Sequence, residues 1–210
     1  MITVPWFDAA LAGVVGLLVG SFLNVVIYRL PKMMERQWAT ECAEYAGMNA
    51  DQASPPPSAE ADVFNLARPR SRCQACGHQL RWYENIPVLS YLFLRGRCSS
   101  CGVSISIRYP LVELTTAALF FFCVQQWGAT VTGLAWCVFA AVLVSLAFID
   151  WDTTLLPDDL TLPLLWAGLL ASALQWIDVP LYNSVIGAVA GYLSLWLVYW
   201  GFKLVTGKEG

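Results

Sequence analysis

LAGVVGLLVGSFLNVVIYRL, residues 11–30, holds no charge before Arg29. An uncharged run of about 20 residues is what a helix needs to cross roughly 30 Å of hydrocarbon. No basic residue precedes the run, whereas Arg29 and Lys32 follow it. That order is the reverse of a cleaved secretory leader, so the segment is expected to stay as an anchor. Four more stretches share its character, giving crossings at about 9–28, 111–128, 130–149, 160–177 and 181–202. The composition agrees: 58% of the 210 residues are hydrophobic, 13% are charged and ten are Trp, which excludes an ordinary soluble domain. The net charge of −3 comes with no basic tract of the kind that binds nucleic acid.

Orientation follows from the cations. Ten of the twelve Lys and Arg lie between Arg29 and Arg108, and the other two are Lys203 and Lys208. The loops near 129 and 178–183 carry none. The positive-inside rule then places 29–109 and the C-terminal end in the cytoplasm, with the N-terminus and both short loops facing outward. The expected fold is an all-α polytopic membrane protein, with about five transmembrane helices and a small cytoplasmic zinc-binding module. Its divisions are 1–30, the first crossing; 31–67, a cytoplasmic polar linker; 68–109, the zinc module; and 110–210, crossings two to five. Within the linker, 33–65 includes a Pro triplet and lacks a sustained apolar period, so it reads as loosely packed, with helix open in its first half. Gly16 with Gly20, and Gly187 with Gly191, are small residues four apart and predict close helix contacts.

Cys73-Gln-Ala-Cys76 and Cys98-Ser-Ser-Cys101 are two Cys-x-x-Cys pairs, each followed by glycine. Two residues between thiolates let one turn present both sulfurs to one ion, and four thiolates close a tetrahedral zinc site of structural type. Disulfides or a redox pair fit less well in a reducing compartment. A module of about 40 residues is too small to be held by apolar burial alone, and structural zinc supplies on the order of 10 kcal/mol. His78 is not expected to be a fifth ligand. Cys123 and Cys137 fall inside crossings and read as packing.

FIDWDTTLLPDD, residues 148–159, sets Asp150, Asp152, Asp158 and Asp159 at the end of the third crossing. Four carboxylates at the bilayer centre would cost roughly 2.5–3.5 kcal/mol each, so they must reach an interface or a cavity. On a helix, Asp150 and Asp152 point about 200° apart. Pro157 is expected to break the helix, leaving Asp158 or Asp159 to cap the next one. Asp150 ends the apolar run directly and is the functional candidate.

GSFLNVVIYRLP (20–31), the two Cys-x-x-Cys pairs, RYPLVELTTA (108–117) and FIDWDTTLLPDDLTLP (148–163) together resemble the type IV prepilin peptidases in their bifunctional form. The resemblance implies a multi-pass aspartic endopeptidase of the bacterial inner membrane. Such an enzyme cleaves the leaders of type IV prepilins and pseudopilins and N-methylates the new N-terminus from S-adenosyl-L-methionine, in type IV pilus biogenesis and type II secretion. It places a catalytic carboxylate on Asp150 and zinc on Cys73, Cys76, Cys98 and Cys101. Asn24, Arg29, Gly96 and Glu113 stand in matching stretches as the methyl-donor or substrate region. Interhelical hydrogen bonding would equally explain Asn24 and Glu113, an interface anchor Arg29, and a turn Gly96. The family's second catalytic Asp lies in a Gly-x-Gly-Asp motif that would fall beyond Gly210. The chain is therefore expected to be a C-terminally truncated piece, inert alone as a peptidase, because the two carboxyls must titrate as a pair. The alternatives are a non-enzymatic zinc-bearing membrane scaffold, whose acidic turn only connects helices, and a protein that keeps methyl transfer alone.

Overall fold

The computed structural model describes residues 6–45 and 64–207. The described chain is helical: α1 Trp6–Tyr45, α2 Leu89–Phe93, α3 Arg108–Trp127, α4 Val131–Thr153, α5 Asp158–Ala173 and α6 Leu181–Thr206. A 3₁₀ turn at Trp82–Asn85 and two isolated antiparallel bridges, Arg72 with Gln79 and Arg97 with Ser104, complete the segment between α1 and α3.

Every expected crossing coincides with a helix. Three of these are long and apolar enough to span a membrane, namely Trp6–Ala43, Val131–Thr153 and Leu181–Thr206. The other two fall short for visible reasons. α5 has 16 residues, about 24 Å of helix, and α3 carries Arg108 and Glu113 in its first two turns.

α1 differs from expectation in length. It has 40 residues and runs through Pro31 to Tyr45, well past the apolar run and into the segment read as linker. Residues 32–45 are rich in Met, Glu, Arg, Gln and Ala, good helix formers that need no apolar period to stay helical. Gln37 donates to Glu41 one turn on at 2.9 Å, and the Arg36 guanidinium stacks over the Phe64 ring at 4.2 Å. The Pro triplet lies outside the described residues.

α1, α3 and α4 form one bundle. Its core is built from Leu23 and Ile27 of α1, Val112, Phe120 and Val124 of α3, and Ala141, Val144 and Ile149 of α4. The first glycine pair makes the α1–α3 contact possible. A Cβ on Gly20 would stand 2.7 Å from the Glu113 Cα, and one on Gly16 would stand 2.8 Å from the Ala117 Cα, so only hydrogen fits between these backbones. The second pair does not do this: a Cβ on Gly187 or Gly191 meets nothing within 4 Å. α6 has no buried residue. A polar contact joins it to α5, through the Ser172 and Ser184 hydroxyls 2.6 Å apart. The α4 start is tied to the α5 end by Thr132 Oγ1, which donates to the Trp176 carbonyl at 2.8 Å.

Candidate functional site

The two Cys-x-x-Cys turns have one construction. The Cys73 amide donates to the His78 carbonyl at 2.8 Å and the Gly77 amide to the Cys73 carbonyl at 2.9 Å. In the second turn the Cys98 amide donates to Val103 at 2.9 Å and the Gly102 amide to Cys98 at 3.0 Å. Both closures need the left-handed backbone, with φ of +72° at Gly77 and +70° at Gly102, which glycine adopts without a Cβ penalty.

The knuckles face one another. Cys73 Sγ lies 3.9 Å from Cys101 Sγ, and Cys76 Sγ lies 4.0 Å from Cys98 Sγ. All four sulfurs fall within 4.8 Å of one another. Zinc–sulfur bonds of about 2.3 Å in a tetrahedron put sulfurs about 3.8 Å apart, so the donor set fits one ion. The electrostatics point the same way. Amides of Cys76 and Ala75 pull the Cys73 thiol down to about 6, and those of Cys101 and Ser100 lower Cys98. Cys101 is pushed up to about 11: the Val103 amide lowers it, but the Cys76 thiol, burial and the other two thiols outweigh that. Four thiols so close cannot all ionise without a cation among them.

His78 stands outside the sulfur cluster. Its Nε2 is 3.4 Å from Glu84 Oε2 and 3.5 Å from Ser99 Oγ. Glu84 is buried and accepts the Arg81 amide at 2.8 Å. That amide, followed by the Ser99 hydroxyl, holds its carboxyl below the usual range. Nothing local in the sequence pointed to Glu84, because it gathers partners from both knuckles.

A cleft of about 770 Å³ separates this module from α1. Ser21, Asn24 and Arg29 line one wall, Glu84 and Tyr91 the other, with Glu113 beneath. Three of the four residues expected in one region are thus brought together. Asn24 Nδ2 donates to the Tyr109 carbonyl at 3.1 Å, joining α1 to α3. Arg29 is buried and donates to the carbonyls of Asn65 (2.8 Å), Leu66 (3.3 Å) and Pro69 (2.6 Å). It pins the entry into the module. Glu113 Oε2 accepts the Val88 amide at 2.7 Å. Gly96 does not line the cleft. It sits behind the wall at φ +67°, where a Cβ would stand 2.9 Å from Tyr91 Oη.

The acidic segment occupies the same end of the bundle. α4 stops at Thr153, before Pro157, because Thr154 turns left-handed and returns its amide to the Asp150 carbonyl at 2.8 Å. Asp150 is exposed at this helix end. Asp152 pairs with Arg108 of the first α3 turn, away from the side of the helix that carries Asp150. The expectation of an aspartate cap on α5 is not met. Pro157 holds the N-cap position with no side-chain bond, and Asp158 and Asp159 lie in the first turn, where the helix dipole favours anions.

Residues 14–127 match the bacterial peptidase A24 N-terminal domain, and residues 137–210 match the type IV leader peptidase family. Curated relatives named prepilin leader peptidase/N-methyltransferase agree along nearly the whole chain. The Pseudomonas putida protein is 52% identical over 98% of this chain and 68% of its own length. The Neisseria gonorrhoeae protein is 50% identical over 97% and 69%, and that of Aeromonas hydrophila is 50% identical over 98% and 69%. No solved structure matches the chain.

Proposed function

Because the chain belongs to the type IV leader peptidase family, with relatives named prepilin leader peptidase/N-methyltransferase, we propose that it serves both activities at the bacterial inner membrane. It cleaves the leaders of type IV prepilins and pseudopilins and N-methylates the residue exposed, for pilus biogenesis and type II secretion. On this reading α1, α3, α4, α5 and α6 each cross the bilayer, with the N-terminus periplasmic. The divisions at 1–30, 31–67, 68–109 and 110–210 are an anchor, a polar linker, a cytoplasmic zinc module and the start of the peptidase region.

The observation that carries this reading is the Arg108–Asp152 ion pair. It ties the first turn of α3, where the module ends, to the last turn of α4, two residues from Asp150. Leader cleavage and modification of the new terminus must occur at one membrane face, and the pair marks the acid and the cleft as lying on one side of the bundle. A prepilin offers a basic leader followed by an apolar helix, so its scissile bond lies at that face. Asp150 supplies one carboxyl of an acid pair in which a charged partner activates water and a neutral one protonates the leaving amine.

The cleft serves the second reaction. Its volume is that of a small-molecule site, and its polar lining is mixed, with the Glu84 and Glu113 carboxylates, the Asn24 amide and the Tyr91 phenol among apolar side chains. S-adenosylmethionine, when bound, supplies an electrophilic methyl group to the new amine. Glu84 and Glu113 suit the donor's cationic and hydroxyl groups, Asn24 fixes the α1 wall to α3, and Arg29 holds the module closed over the space. Zinc in Cys73, Cys76, Cys98 and Cys101 shapes the opposite wall and takes no part in the chemistry, since four thiolates leave no open position.

The test uses the protein expressed from its whole reading frame in membranes, with a prepilin and labelled S-adenosylmethionine. Asp150→Asn should abolish cleavage while leaving methylation of an already cleaved pilin intact. Normal cleavage by that variant would overturn the assignment.

A further inference from the structure

α2 is a helix of five residues with two unlike faces. Ser90 and Tyr91 turn toward the cleft, whereas Leu89 is 51% exposed, Leu92 64% and Phe93 84%. Spacings of three and four put these last three on one side, and no described residue covers them. The helix is nonetheless firmly held. Val88, just before it, sits at φ +58°, a costly conformation for a β-branched residue. Its amide is bonded to buried Glu113 of α3 at 2.7 Å.

That bond sets the depth of α2. Glu113 lies five residues beyond Arg108, about 8 Å along the α3 axis. If α3 crosses the bilayer, as proposed above, a charged Arg108 at its first residue belongs at headgroup level, and α2 then lies where interfacial helices bury their apolar faces, roughly 5–10 Å into the headgroup and acyl boundary. Charge fits the same surroundings. From Asn85 to Val112 the chain has no acid, while Arg95 and Arg97 follow α2 directly, and both are exposed. On the first turns of α3, Leu111 and Leu114 are exposed as well.

We propose that α2 is an interfacial helix resting in the leaflet beside the module, with Leu89, Leu92 and Phe93 among the acyl chains and Arg95 and Arg97 against the phosphates of anionic lipids. One wall of the cleft is then part of the membrane surface. A polypeptide end emerging from the bilayer enters it without first moving into bulk water.

The proposal rests on α3 being a crossing, and the experiment separates the two. Full-chain protein goes into nanodiscs of phosphatidylethanolamine and phosphatidylglycerol. A trifluoromethylphenylalanine replaces Phe93 in one sample, exposed Phe122 of α3 in a second and exposed Gln79 of the first knuckle in a third. Fluorine spectra are recorded with a lipid bearing a nitroxide near the head of its acyl chain, and separately with an aqueous gadolinium chelate. The expected result is loss of the position 93 and 122 signals to the lipid nitroxide only, and loss of the position 79 signal to gadolinium only. A position 93 signal lost to gadolinium overturns the proposal, because the face is then in water. A signal lost to neither agent also overturns it, because protein, such as a second copy of the chain, then covers the face. If position 122 is untouched by the nitroxide, the crossing fails and the proposal falls with it. If 122 responds and 93 does not, α2 alone is misread.

Discussion

The guanidinium of Arg29, near the middle of α1, donates to the Pro69 carbonyl at 2.6 Å, forty residues along the chain. With Asn65 and Leu66 also accepting from it, one buried cation gathers the backbone leading into the first knuckle. Arg29→Ala should therefore loosen the module without unfolding the bundle. A hydrogen bond to a charged group is worth about 1.5–3 kcal/mol, so the expected signs are faster tryptic cleavage between Ala67 and Arg72 and weakened methyl transfer. Arg29→Lys should recover only part of this, because an ammonium lacks the planar fork that reaches several carbonyls. Unaltered proteolysis of the alanine variant would contradict the role.

The two glycine pairs should respond oppositely. Gly20→Leu drives a side chain into the α3 backbone, where even a Cβ stands 2.7 Å away. Overpacking costs typically about 1–3 kcal/mol, and contact with backbone leaves little room for relief. Gly191→Leu meets nothing within 4 Å and should be neutral. Thermal unfolding in detergent reads both, and equal losses would refute the distinction.

Metal analysis should find one zinc per chain, lost in Cys98→Ser. Cys98 is the buried thiol of the four, and a serine hydroxyl is a poor substitute for thiolate. Chelation should raise hydrogen exchange over 71–104 and leave α1, α3 and α4 protected, since the bundle core contains none of the four ligands.

Gly96→Ser should impair methyl transfer more than cleavage. The residue is held at φ +67°, and a Cβ would stand 2.9 Å from Tyr91 Oη, so the substitution strains the turn by about 1–2 kcal/mol and pushes the phenol into the cleft. The readout is a raised KM for S-adenosylmethionine with cleavage unchanged. Gly96→Ala should lie between the two.

Asp152→Asn should be mild where Asp150→Asn is severe. The Arg108–Asp152 pair is about one-third exposed on each side, and such pairs contribute about 0–1 kcal/mol. Cleavage retained within severalfold is expected, measured with the same prepilin. Complete loss would mean that Asp152 shares the chemistry.

Much of the fold was legible because long apolar runs leave the chain little but helix, and all five expected helices are present. The knuckles were legible because Cys-x-x-Cys followed by glycine is a local construction. Contacts between distant residues were not. Neither the Val88–Glu113 bond, 25 residues apart, nor the Arg108–Asp152 pair, 44 apart, leaves a mark on any short stretch. Glu84 was missed for the same reason. The extension of α1 to Tyr45 was left open rather than expected, because helix propensity there comes without the periodic signal a packed face would leave. The pair Gly187 and Gly191 shows the converse, since spacing four apart permits a close approach without supplying a partner.

α6 is 26 residues long, about 39 Å, and none of it is buried against protein among the described residues. On the five-crossing reading it exceeds the hydrocarbon thickness and must lean. Trp196, Tyr199 and Trp200 cluster two turns or less from Lys203, forming a girdle of the kind that seeks the level of the glycerol backbone. On that reading the aromatic collar sets the vertical position of this helix, and a thinner bilayer would change its tilt before it changed its depth.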